Sequence, residues 1–402
     1  MHVDIGSEES VRDPSGYFAR ARRHGGDVQW SDAQRGWVVL SHEGVEAGFR
    51  DTTNLSADRM STFARVAEGR SPAFAKAVEM LHGWMNFRDE PAHAHLRAPV
   101  AAAFSPRAMR TLESRVTEIV HAAIDRFDGE TVDLSGAFAR PVPALVIAAI
   151  LGVEGEERER FQEWSDDMGA LVFSLNPGKV NEGPVAHAAG EFMEFFPRHI
   201  ERERRSPSDS LLTTIVNSEI GELSHIELTG ACTVLLFGGH ETTTTLLINS
   251  IATLLERPDL REWLRDHLEA DETAVEELMR VGGPARAMPR KVALAHERGG
   301  QHLEAGQNVY LCIAAANHDE RVFAHPETID LQRDPNPQLG FGWGLHYCLG
   351  ATLGRMEGRI ALRALLDRFP EIRPAGPITP ARGSAMGFGR RPVVASLGTR
   401  SR

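Results

Sequence analysis

Apolar positions fall at helical spacing through most of the chain beyond about residue 89, while short apolar or β-branched runs mark the two ends. The strand-like runs are GWVVLS at 36–41, KVALA at 291–295, NVYLCIA at 308–314 and RRPVVASL at 390–397, bounded by Gly, Pro and His. This pattern predicts a mainly α protein with a smaller β lobe assembled from pieces distant in sequence. A β-richer N-terminal part covers about residues 1–88, and a helical remainder carries the late strands. At 402 residues the chain exceeds the usual single-domain size. Pro and Gly are dispersed and no repeat appears, so residues 1–402 are read as one domain.

The longest helical pattern is the most informative. Ser224 followed by Glu227 forms a capping box, and the apolar pattern continues to Leu255 before Pro258 ends it. About thirty residues at 1.5 Å each span roughly 45 Å, the width of a domain. In its middle stands FGGHETTTT at 237–245, where two glycines and four threonines are weaker helix formers than Ala or Leu. Gly238 and Gly239 let a flat ligand approach the backbone, and the Thr242 hydroxyl can reach the carbonyl of residue 238 and open the helix locally. Read alone, the segment also fits a threonine-rich kink without chemistry.

Composition adds limits. With 42% hydrophobic and 25% charged residues the chain is an ordinary globular one. A net charge of -12 argues against nucleic-acid binding. The start lacks a signal-peptide pattern, and the longest apolar run, PVPALVIAAILGV, is too short to span a bilayer, which points to a cytoplasmic protein with no membrane partner. Cys232, Cys312 and Cys348 lie far apart and fit a reduced compartment; the first two read as packing residues.

Cys348 stands in FGWGLHYCLG at 341–350, immediately before a helix patterned by Leu353, Met356, Ile360 and Leu365 and stopped at Pro370. Gly342, Gly344 and Gly350 let the backbone fold around one sulfur, and the free amides at the start of the helix lower its pKa. Taken alone, a cysteine is more often a small buried hydrophobe. The surrounding pattern makes a metal-bound thiolate the better reading.

That pattern resembles the haem-binding loop of the cytochrome P450 family, Phe-Gly-x-Gly-x-His-x-Cys-x-Gly, at every fixed position. The resemblance implies the P450 fold, with a long helix over a buried haem b (iron protoporphyrin IX). It makes Cys348 the iron ligand, places Phe341 and Gly350 beside the sulfur, and gives His346 a haem propionate. Gly238 and Gly239 with Glu241 and Thr242 match the family's oxygen-activating segment, Thr242 donating to the reacting dioxygen and Glu241 relaying protons. His93 and Arg97 in DEPAHAHLR match the HxxxR element that grips a propionate, and Arg290 matches the arginine that reaches the other. Glu277 and Arg280 match ExxR, a structural ion pair, with Arg333 as the candidate further base; the neighbouring Glu276 reads as a solvated charge. Val234, Phe237, Arg286, Ala287 and Met288 are expected to face the substrate, and Phe173, Phe192 and Phe195 fit either pocket or core. Arg286 stands where an apolar residue is more usual, and its charge requires a partner.

The implied activity is insertion of one oxygen atom from dioxygen into a small organic substrate, by hydroxylation or epoxidation in secondary metabolism. Electrons come from NAD(P)H through ferredoxin and ferredoxin reductase, or flavodoxin, since the chain has no reductase module. Arg107, Arg110 and Arg355 are candidates for the docking face. The alternatives are oxidative phenol coupling or a peroxide-driven reaction and, in another class, a haem-binding or gas-sensing protein.

Overall fold

The computed structural model describes residues 2–153, 157–172, 177–379, 385–387 and 389–398. Two compact units emerge, neither continuous in sequence. The first combines residues 1–56, 117–142 and 242–402, and the second combines 57–116 and 143–241.

The first unit carries the strands. β1 (Val28–Ser31), β2 (Gly36–Val39), β3 (Leu55–Ser56), β5 (Met288–Val292) and β8 (Asn308–Leu311) form a sheet in the order β1-β2-β8-β5-β3. β4 (Thr131–Asp133), β9 (Arg373–Pro374) and β10 (Val394–Ser396) form a second, and β6 (His296–Arg298) with β7 (Gln301–Leu303) a hairpin. β2 runs parallel to β8, and β5 returns antiparallel beside it, so residues about 270 positions apart become neighbours, with Val38 opposite Tyr310 and Val39 opposite Leu311. Side chains on a strand alternate between faces. Val38, Tyr310 and Cys312 therefore join the N-terminal Val3, Ile5, Tyr17 and Phe18 on one face. Val39, Val309 and Leu311 join Val45, Phe49 and Val292 on the other. The expected β lobe is present, and the expected strands near 36, 291, 308 and 394 lie within it. The weaker strands β1, β3, β4, β6, β7 and β9 were not legible in the pattern.

In the second unit the Glu157–Val172 and Glu182–Arg205 helices pack through Phe161, Trp164, Phe192, Phe195 and Phe196, with Phe161 and Phe195 rings 4.9 Å apart. Phe192 is thereby a core residue, and the half-buried Phe195 packs against Phe161; Phe173 lies outside the described residues. The long helix runs unbroken over His225–Glu256, capped as expected, with the Ser224 amide and hydroxyl each donating to Glu227 at 2.8 Å. The helix stays continuous through residues 238–242, threonines included. In the part that belongs to the second unit, its backbone meets the Leu81–Gly83 turn so closely that a Cβ on Gly230 would lie 2.5 Å from the Gly83 Cα. Only glycine fits such an approach. Beside it the Trp84 indole donates to the Thr233 hydroxyl at 2.9 Å.

One buried group in the first unit opposes stability. Glu357, on the Ala351–Arg368 helix, is 0% exposed, and neither carboxyl oxygen has a hydrogen-bond partner. Burial pushes its pKa well above the ordinary carboxyl value. The unfolded chain releases this proton near pH 4.3 while the folded one keeps it, so stability is lost as pH rises from that point through the folded pKa. Glu357→Gln should therefore be more stable than wild type at pH 8 by a few degrees in Tm, on the order of 1 kcal/mol, with the difference closing toward pH 5. Thermal melts across this range check it; a constant difference would remove the titration from the explanation.

Candidate functional site

The cysteine loop belongs to the first unit. Gly342 and Gly344 have φ of +70° and +69°, a left-handed backbone that L side chains rarely adopt. These two turns bring the Cys348 amide back to donate to the Phe341 carbonyl at 2.9 Å, and the Tyr347 amide to Gly344 at 3.0 Å. Cys348 is exposed, unlike Cys232 and Cys312, and the Ala351–Arg368 helix begins three residues later, capped by Gly350. Burial holds the other two thiols protonated, with Cys312 pushed up to about 11. Gly350 has an ordinary φ of -85°, so its role is spatial: a Cβ there would meet no atom within 4 Å. The loop rests on the Phe49 main chain, since a Cβ on Gly344 would lie 3.0 Å from the Phe49 oxygen. On the same sheet face Arg290 sets its guanidinium 5.6 Å from the Phe49 ring. Phe341, His346, Cys348 and Arg290 are thus drawn together around Phe49 and the loop.

Behind the loop lies the Asp271–Gly282 helix. Glu277 and Arg280 are fully buried and paired at 2.7 and 2.8 Å. Glu277 also accepts from Arg333 Nε and Asn336 Nδ2, both at 3.1 Å, and from the Asp330 amide at 2.9 Å. Arg280 donates to the carbonyls of Asn317, Pro326 and Thr328. Burial opposes the Glu277 charge, yet Arg280, the Asp330 amide and Arg333 outweigh it and hold the carboxyl below its usual range. Arg333 completes the network.

In the second unit His93 and Arg97 share one face of the Ala92–Ala103 helix. His93 is 1% exposed, and burial, helped by the Arg97 charge, lowers its pKa, which favours the neutral imidazole. On the long helix Gly238 is exposed although Phe237 and His240 beside it are buried, and a Cβ at Gly238 would meet nothing within 4 Å. Within the second unit the open Gly238 face admits close approach of a flat group, and within the first the exposed Cys348 sulfur and the bare Gly350 suit a thiolate-bound one. Glu241 Oε1 lies 3.5 Å from the buried His240 Nδ1, a neighbour the sequence reading passed over.

The expected substrate residues divide. Arg286 and Ala287 are placed otherwise than expected: both are buried in the N-terminal core of the first unit. Arg286 Nη2 donates to the Ile5 and Ser10 carbonyls at 3.0 Å and to the Ser10 hydroxyl at 3.1 Å, so the partner its charge requires comes from the chain itself. Phe237 is 6% exposed and packs on Trp84 at 5.2 Å. Val234 and Met288 are half-buried. Of the docking candidates, Arg107 and Arg110 are exposed, whereas Arg355 is engaged by Glu276.

The family model for cytochrome P450 matches residues 62–393. Nocardicin C N-oxygenase of Nocardia uniformis subsp. tsuyamanensis is 37% identical over 348 residues, 85% of this chain and 84% of that protein. Mycinamicin IV hydroxylase/epoxidase of Micromonospora griseorubida is 35% identical over 357 residues, 87% and 86% of the two chains. The crystal structure of CYP109E1 from Bacillus megaterium in complex with testosterone superposes with a TM-score of 0.84 at 28% identity, covering 98% of this chain and 100% of that one. The chain belongs to the cytochrome P450 family and is a P450 monooxygenase. Membership implies a haem cofactor and, in general, a redox partner. Among the described residues no helix is long and apolar enough to cross a membrane.

The buried network sets a measurable cost. Arg333→Ala removes one cation from a carboxylate held in the core, which should cost about 2 kcal/mol. It should also raise the folded pKa of Glu277, so that protection is lost at a higher pH as acid is added. Denaturant titration and acid unfolding followed by circular dichroism check both; an unchanged acid midpoint would show that Arg333 leaves Glu277 unaffected.

Proposed function

We propose that this P450 hydroxylates or epoxidises a small organic secondary metabolite, using dioxygen and electrons passed from NAD(P)H through ferredoxin and its reductase, or flavodoxin, in the cytoplasm. The carrying observation is the open Gly238 face of the long helix, followed directly by Glu241 and Thr242. Two relatives named as an N-oxygenase and a hydroxylase/epoxidase support the same reaction class.

In this reading the Cys348 thiolate would hold the iron of haem b, with Phe341 and Gly350 beside the sulfur. His346, Arg290, His93 and Arg97 would hold the propionates, a neutral His93 by a hydrogen bond and the arginines by charge. Gly238 leaves the helix face bare for the ring, whereas Gly239, expected to share that role, makes room for Ile147, whose Cδ1 would lie 2.1 Å from a Cβ there. Bound there, the haem would supply the activation of dioxygen for insertion into a C–H or C=C bond. Thr242 holds a hydroxyl proton toward the reacting oxygen, and Glu241 resupplies that proton from solvent, the role of a general acid. Val234 and Met288 remain as substrate contacts. Residues 1–402 serve as one catalytic domain.

Cys348→His should abolish the red-shifted carbon monoxide band of sulfur-ligated ferrous haem, and a variant that keeps it would overturn the ligand assignment. Thr242→Ala should leave haem and substrate binding intact while product formed per NAD(P)H falls at least about tenfold, at the low side of what a positioned proton donor contributes, and hydrogen peroxide accumulates. Unchanged coupling, or full turnover with peroxide alone, would favour the peroxide-driven or phenol-coupling alternative.

A further inference from the structure

Glu276 precedes the buried Glu277 on the same helix, and successive helical side chains point about 100° apart. Its carboxylate therefore faces elsewhere, toward the cysteine loop. Oε1 accepts from Arg355 Nε, and Oε2 accepts from Arg355 Nη2 at 3.2 Å and Gln338 Nε2 at 2.8 Å. Gln338 in turn accepts from the Gly340 amide at 2.6 Å through its Oε1, at the entry to the loop. Arg355 Nη1 donates to the Tyr347 hydroxyl at 3.1 Å, one residue before Cys348, and its guanidinium lies 4.3 Å from the Phe341 ring centroid. Both flanks of the loop thus converge on one carboxylate, and all these residues belong to the first unit.

We propose that Glu276 is a positioning residue for Cys348: it fixes the two flanks of the cysteine loop and neutralises Arg355, so that the thiolate sits beside a compensated cation. The proposal rests on the haem-thiolate reading above for its electronic part, while the tie between the flanks stands independently. The arrangement differs from the Glu277–Arg280 network, whose partners lie on the segments at 317–336. Side-chain exposures of 23% for Glu276 and 36% for Arg355 leave the pair partly shielded from water, where its charges are less screened than on an open surface.

Glu276→Gln preserves shape and removes the charge. Backbone amide exchange across residues 340–348 should accelerate at least about tenfold, the loss of one charge-assisted hydrogen bond. The ferrous carbon monoxide complex should lose its sulfur-ligated band at least about tenfold faster than wild type, and the haem reduction potential should move positive, because the Arg355 charge is no longer compensated. Glu276→Gln with Arg355→Gln should return the potential toward the wild-type value while the loop stays loose. Wild-type exchange, band lifetime and potential in Glu276→Gln would overturn the proposal, as would a double variant whose potential stays shifted as far as that of the single one. A lowered Tm with unaltered exchange and spectra would also overturn it, leaving only a surface ion pair. If wild type itself lacks the sulfur-ligated band, the haem-thiolate reading fails, and amide exchange alone still decides the tie between the flanks.

Discussion

A fully buried carboxylate is costly unless enough donors surround it, and Glu277 meets that condition only because four other residues come to it. Arg280 is supplied by the same helix, but Asp330, Arg333 and Asn336 arrive from a segment more than fifty residues downstream. That segment leads directly into residues 338–348. Satisfying the charge of one side chain therefore determines where the chain must pass before it forms the cysteine loop. The turns at Gly342 and Gly344 then need little further guidance, since Phe49 receives them and the Phe341 carbonyl closes the loop on the Cys348 amide.

The sequence made the main elements legible where the signal was local. A capping box and thirty residues of periodic pattern suffice to place the His225–Glu256 helix, because each hydrogen bond in it links residues four apart. The same holds for the helix after Cys348 and for β2, β5, β8 and β10. β1, β4 and β9 gave no such signal: two to four residues leave too little periodicity, and their identity as strands comes from partners far along the chain.

Side-chain roles followed a similar division. Cys348, His93, Arg97 and Arg290 were picked out by their resemblance to the family's motifs, each carried by residues close together in the chain. Arg286 could not be placed, because its acceptors, Ile5 and Ser10, lie about 280 positions away and are main-chain carbonyls that no residue type reveals. Glu276 was hidden for a related reason. Adjacent to an obvious structural acid, it resembles any solvated glutamate until Gln338, Arg355 and the loop are folded against it. Glu357 shows the opposite case, a charge-bearing residue in an amphipathic helix whose buried face gives it no partner.

The contact between Gly83 and Gly230 reaches further than the few atoms involved. Two main chains at that separation mesh like teeth, and the long helix cannot turn about its own axis there without collision. Because an α-helix transmits azimuth at 100° per residue with little torsional slack, the angle fixed at Gly230 is inherited by Gly238 two turns on. The direction in which the bare glycine face looks is thus indexed by a contact that carries no functional group at all. Substitutions at either glycine would act on the reaction as a change of bearing, while every reactive side chain kept its identity.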